Sequence, residues 1–138
     1  MVQTVELEEF IIAYTSCKKV NEDSDIYSDL DLVGDDFHDF IDAYAKKYEV
    51  DISSYLWYFH GDEEGNNFGG LLFKPPYARV QRIPVTPILL AKFANTRKWE
   101  IPYPEHHLPK YRYDLLLNRL IAAVLLVVIV AIAASKFS

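Results

Sequence analysis

Leu120 to Ala134 is a run of fifteen consecutive apolar residues with neither Gly nor Pro. A helix of fifteen residues rises about 22 Å, short of the roughly 30 Å hydrocarbon core of a bilayer. Extended back to Leu115 the run has twenty residues and the helix reaches about 30 Å, now including Asn118 and Arg119. Arg119 lies near the polar end, where a guanidinium can snorkel to the headgroups. A run of this length also suits a buried core helix. All-round apolarity and the flanking Tyr111, Tyr113 and Lys136 favour the membrane. The sequence therefore predicts a C-terminal transmembrane anchor over 115–138 that meets lipid through 115–134. Tyr111, Arg112, Tyr113, Arg119 and Lys136 are its expected membrane-interface residues.

Lys110, Arg112 and Arg119 precede the lipid-facing run or lie at its start, and only Lys136 follows it. The positive-inside rule then places the N-terminal domain in the cytoplasm. With no basic and apolar leader at the N-terminus, the expected product is a tail-anchored, single-pass protein. Ahead of the anchor the chain divides into a soluble domain over 1–100 and a Pro-rich connector over 101–114. Charge is divided as sharply: residues 1–64 hold four Lys and 17 Asp or Glu, and residues 65–138 ten Lys or Arg and three acids. This asymmetry suits an acidic face for partners and a basic side near the membrane, or two halves that neutralise each other. A lone cysteine, Cys17, leaves no internal disulfide and fits a reducing compartment.

The soluble part reads as mainly α. Val5, Phe10, Ile11 and Tyr14, with Leu7 alongside, suit an amphipathic helix over about 4–14. Residues 15–34 read as a long loop pinned to the core by Ile26, Tyr27, Leu30 and Leu32. The clearest element is a second helix from Asp35 to about Tyr48, with Phe37, Phe40, Ile41, Tyr44 and Tyr48 on one stripe. Asp35 and Asp36 suit the positive end of its dipole. Asp35, Asp39 and Asp42 form a second, acidic stripe, with Asp42 four residues before Lys46. Tyr55, Trp57, Tyr58 and Phe59 read most simply as core. Leu71–Phe73 and Ala78–Ile83, separated by Pro75-Pro76, suit a short hairpin or two extended runs. Thr86-Pro87 marks a helix start, Thr as N-cap and Pro in the first turn, for a helix running to about Thr96.

Chemistry is harder to find. An EF-hand loop begun at Asp29 would put Val33 at position five and Phe40 where the bidentate Glu belongs, so calcium is not expected. His38, His60, His106, His107 and Cys17 lack metal-ligand spacing. There is no Gly-rich phosphate loop and no nucleophile elbow. Ser24, Ser28, Ser53 and Ser54 have no nearby basic partner. No catalytic residue, cofactor or metal is assigned, and the chain is not expected to be an enzyme. The acidic first half disfavours nucleic acid; Lys74, Arg79, Arg82, Arg97 and Lys98 more simply attract anionic headgroups.

Asp29-Leu30-Asp31-Leu32-Val33-Gly34-Asp35-Asp36, then Phe-x-x-Phe-Ile-x-x-Tyr and a Tyr-x-Val-Asp-Ile close, resembles a bacterial family, domain of unknown function 1493 (DUF1493). Ile83-Pro-Val-Thr-Pro-Ile-Leu-Leu and Arg97-Lys98-Trp99 are similar to that family's terminal helix and closing basic-Trp pair. The likeness covers roughly residues 4–100. The family in turn resembles acyl carrier proteins, whose second helix is an acidic recognition surface opened by Asp-Ser-Leu, with phosphopantetheine on the Ser. Here Gly34-Asp35-Asp36-Phe37 stands in that place, and an aspartate cannot form the phosphodiester. Asp23-Ser24-Asp25 contains the dipeptide but opens no apolar helix.

The resemblance thus implies a small carrier-like helical domain with a short extended or hairpin segment, without the carrier's chemistry. The expected function is non-catalytic. Asp35, Asp36, Asp39 and Asp42 would bind a basic protein partner, and the bilayer would be the second partner. The alternative is a lipid- or acyl-handling protein with Tyr55–Phe59 lining an apolar pocket.

Overall fold

The computed structural model describes all residues from Met1 to Ser138. It divides into two compact units, Met1–Glu64 with Val80–His106, and Gly65–Arg79 with His107–Ser138. The architecture is helical, as the patterning predicts, and contains no β-strand.

The first unit holds three α-helices, α1 (Thr4–Thr15), α2 (Gly34–Tyr48) and α3 (Pro87–Thr96), and a short 3-10 turn, Trp57–Phe59. The stripe on α2 is buried as expected: Phe37, Phe40, Ile41, Tyr44 and Tyr48 all face the core. On α1 the buried pair is Leu7 and Ile11, one turn apart, whereas Val5 is 61% exposed. Phe10 and Tyr14 occupy a neighbouring strip, where both rings pack on Phe40 with centroids 5.7 and 5.3 Å away. The apolar stripe of α1 is therefore rotated from the predicted one. It centres on Leu7, because an i, i+4 aliphatic pair fits between two helices while the larger rings seal its edge.

Thr86 caps α3 as predicted, its hydroxyl accepting from the Leu89 N–H, with Pro87 in the first turn. Both α2 and α3 end on a left-handed residue, Glu49 at φ 52° and Arg97 at φ 56°. Non-glycine residues enter this region at a cost. Here the bonds that follow hold them: Val50 N–H donates to Ala45 (2.9 Å), Asp51 N–H to Arg97 (2.9 Å) and Trp99 N–H to Asp51 (2.9 Å). The last two make a parallel bridge between Asp51 and Lys98 that ties the two helix exits together. The 16–33 loop is anchored as its apolar residues suggest. Ile26 is fully buried and its N–H donates to the Val85 carbonyl. Beside it Asp25 takes a bidentate Arg82 at 2.5 and 3.2 Å.

The second unit contains α4 (Tyr113–Lys136) and two 3-10 turns, Phe68–Leu71 and Pro76–Ala78. The hairpin alternative for 71–83 does not form. Pro75-Pro76 bring no backbone donors to a ladder. Asn67 instead caps the first turn, its Oδ1 accepting from Gly70 N–H at 2.9 Å. That turn then seats on the start of α4 through a closed polar network. Asn67 donates to Asp114 at 2.8 Å, Asn118 donates to Asn67 at 2.9 Å, and Gly69 N–H donates to Asn118 at 2.7 Å. Arg112 completes it with two bonds to Asp114, 2.9 and 2.6 Å long. An Asn inside an apolar helix is costly unless satisfied, and here Asn118 is satisfied by the turn. Helix α4 is long and apolar enough to cross a membrane, with a mean hydropathy of 2.8 over its most apolar 18 residues.

Candidate functional site: the acidic face of the second helix

Helix α2 starts without a capping side chain, because its N-cap is Val33. The missing acceptor comes from a distance: the Asp62 carboxylate takes the Gly34 N–H at 3.0 Å. Gly34 sits at φ +58°, a backbone conformation that favours glycine, and a Cβ there would also push the Glu64 side chain aside. One turn on, His38 fastens the same segment. Its Nε2–H donates to the Asp62 carbonyl at 3.0 Å, which leaves Nδ1 to accept from the Tyr55 hydroxyl at 3.0 Å. The 55–62 segment is thus the clamp that fixes where α2 begins. Its only sequence signal is negative, since Val33 offers no cap and some other acceptor must exist.

With one face in the core and its start clamped, α2 turns Asp35, Asp36, Asp39 and Asp42 outward, and all four are exposed. None of them forms an ion pair. The helical spacing of Asp42 and Lys46 produces no bridge between them. Tyr14 of α1 borders the face, half exposed. Burial and then the Asp39 and Asp36 carboxylates push its hydroxyl above the usual tyrosine range, keeping it a neutral donor. The site is a carboxylate ridge with one aromatic hydroxyl at its edge, on a helix whose opposite face is packed in the core.

The aromatic segment is packed on itself. Phe59 is buried, with the rings of Tyr103 and His106 at 4.9 and 4.8 Å. Trp57 lies edge-on to His38 at 5.7 Å. Next to them His60, fully buried, donates from Nδ1 to the Ile83 carbonyl at 2.9 Å. Its Nε2 receives the Tyr103 hydroxyl proton at 2.7 Å. That hydroxyl in turn accepts from Trp99 Nε1–H (2.9 Å) and from Leu56 N–H (3.2 Å). Every lone pair and proton is used, and the arrangement demands a neutral imidazole. Burial foremost, with the charge of Arg82, lowers the His60 pKa from 6.5 to about 4 against the opposing hydrogen bond to Ile83.

A pH dependence follows. The unfolded chain takes up the His60 proton near pH 6.5 and the folded one near pH 4. The stabilisation is complete above pH 6.5 and is lost as pH falls toward 4, by roughly 3 kcal/mol in all. Trp57 and Trp99, the two tryptophans, both lie in the first unit, so their fluorescence reports its melting. The slope across this window should flatten in His60→Gln; an unchanged slope would mean that other groups cause it.

Three of the serines hold structural hydrogen bonds. Ser24 accepts from Asn21 N–H at 3.0 Å, Ser28 donates to Asp25 at 2.9 Å, and Ser54 donates to the Trp99 carbonyl. Of the expected membrane-interface residues, Tyr111, Tyr113 and Arg119 are exposed, Arg112 is half-buried against Asp114, and Lys136 is exposed in the last turn of α4. The structure brings Tyr111, Arg112 and Arg119 together around a shallow depression at the start of α4.

These features define a small helical domain carried with a helix able to cross a membrane. The sequence profile of the family described as "Protein of unknown function (DUF1493)" matches residues 5–99, and the chain belongs to that family. No curated protein and no solved structure matches the chain.

Proposed function

We propose that this protein is a non-catalytic, membrane-anchored interaction module. In this reading α4 is a tail anchor in a bacterial inner membrane, the first unit faces the cytoplasm, and the acidic face of α2 docks a basic protein surface. The observation that carries the reading is that four exposed carboxylates on one helix have no cationic partner within the chain. Such a field speeds and orients encounter with a basic patch, and salt weakens it. The self-packed Tyr55–Phe59 segment supports this over the lipid- or acyl-handling alternative, which needs those rings to line an open pocket. Gly34-Asp35-Asp36 at the helix start supports a domain that keeps a carrier-like recognition helix without the prosthetic arm.

Cross-linking in native membranes tests it, comparing wild type with Asp39→Lys/Asp42→Lys. Recovery of a reproducible basic partner should fall by about tenfold or more, equivalent to ~1.4 kcal/mol, while the melting temperature is unchanged. Equal recovery by both proteins would reduce the ridge to an ordinary solvated face. Intact mass on the same sample checks the chemistry, because an added phosphopantetheine or acyl group would overturn the non-carrier reading.

A further inference from the structure

The turn seated on α4 exposes Phe68 (62%), Leu71 (85%), Leu72 (76%) and Phe73 (42%). Four large apolar side chains within six residues are thus left to a solvent that does not favour them. The backbone of this segment is bonded within the turn, and its Gly69 N–H joins the network on α4 through Asn118. The patch is flanked by cations. Lys74, Arg79 and Lys110 line a cleft of ≈ 120 Å³ with Phe73, Tyr111 and Tyr113. Arg79 is held over the loop by its Nε–H bond to the Lys74 carbonyl at 2.7 Å. Residues 65–79 and 107–138 together carry six Lys or Arg against a single acid, Asp114, which Arg112 already pairs.

We infer that residues 68–73 are a membrane wedge that dips into the bilayer interface beside α4, and that Lys74, Arg79 and Lys110 seat the phosphate of an anionic lipid headgroup. This rests on the reading of α4 as a membrane anchor. Three observations fix the occupant as lipid. The patch joins the start of α4, within its own compact unit. Aromatic rings and cations are interleaved at its rim, as at membrane interfaces. The cationic excess complements an anionic leaflet. The turn also covers Asn118, so the anchor's polar residue reaches the interface with its amide bonded to protein.

Site-specific quenching tests this on the full chain reconstituted in vesicles of phosphatidylcholine with phosphatidylglycerol. In a Cys17→Ser background, an environment-sensitive fluorophore is placed at Leu71→Cys, at Val127→Cys in α4 and at Ser53→Cys in the first unit. Quenchers near the headgroups should dim the Leu71 probe, quenchers deep in the acyl chains should dim the Val127 probe, and the Ser53 probe should respond to neither. A Leu71 probe that behaves like the Ser53 probe, with Val127 still quenched, overturns the wedge and leaves the anchor standing. An unquenched Val127 probe overturns the anchor reading itself. Quencher-labelled phosphatidylglycerol should dim Leu71 more than the same label on phosphatidylcholine, and Lys74→Glu/Arg79→Glu/Lys110→Glu should abolish the difference. Equal quenching by the two lipids in the wild-type background overturns the headgroup seat.

Discussion

Tyr103→Phe should be the most damaging single-atom change in the first unit, costing about 3 kcal/mol or more. The hydroxyl is the hub of three bonds: it accepts from Trp99 Nε1–H and Leu56 N–H and donates to His60 Nε2. Its removal leaves two donors and an imidazole nitrogen without partners, and each orphaned buried group costs about 1–3 kcal/mol. The phenylalanine ring keeps the packing on Phe59 at 4.9 Å, so the loss is polar and creates no cavity. A drop of about 3 kcal/mol in a domain this size lowers the melting temperature by on the order of 15 °C. Tryptophan fluorescence reads it directly, since Trp99 is one of the orphaned donors. A loss of less than about 3 °C would correspond to well under 1 kcal/mol and would mean that the hub carries no stability.

The hub also shows where sequence reasoning stops. Periodicity finds α2, because Phe37, Phe40, Ile41, Tyr44 and Tyr48 fall on one stripe and all are buried. Capping chemistry finds α3, where Thr86 and Pro87 act as their types predict. The same reasoning misplaces the face of α1. Phe10 and Tyr14 outweigh Leu7 in a count of apolar residues, yet large rings seal the edge as readily as they fill the centre. Tyr103 meets His60 and Leu56 across more than forty positions, so their network is invisible before folding. The clamp of Asp62 on Gly34 is hidden for the same reason. The acidic ridge is legible because it is local to one helix. Its lack of cationic partners is not, because that depends on where Lys46 and the distant cations end up.

Residues 65–79 carry the larger lesson. Leu71–Phe73, with Ala78–Ile83 beyond Pro75-Pro76, suggests a hairpin or two extended runs within the soluble domain, and the polar residues that redirect it, Asn67 on one side and Asp114 and Asn118 on the other, are some fifty positions apart, as the 2.9 Å bond between Asn118 and Asn67 records. An Asn in an apolar helix reads as a defect of the span until its partner is seen. Once paired, it is the socket that holds the loop.

Gly69→Ala should pull that loop out of its socket. A Cβ on Gly69 would lie 2.0 Å from the Asp114 carbonyl oxygen and 2.8 Å from its carbon, main-chain atoms of α4 that no rotamer change can move. Overpacking typically costs about 1–3 kcal/mol. Relief by displacement also forfeits the bonds of Gly69 N–H to Asn118 and of Asn67 to Asp114. Local opening then becomes cheap, and trypsin cleavage after Arg79 should accelerate by about tenfold or more, the equivalent of ~1.4 kcal/mol in the opening equilibrium. Gly70→Ala is the control, because its Cβ would meet only the Asn67 side chain, at 3.1 Å, and a side chain can yield. Both tryptophans lie in the first unit, so its melting should not change in either variant. Cleavage of Gly69→Ala at the wild-type rate would mean that the loop does not need its seat on α4, and the wedge would lose the support that aims its apolar side chains outward. Faster cleavage with unchanged tryptophan melting would locate the damage in the socket alone.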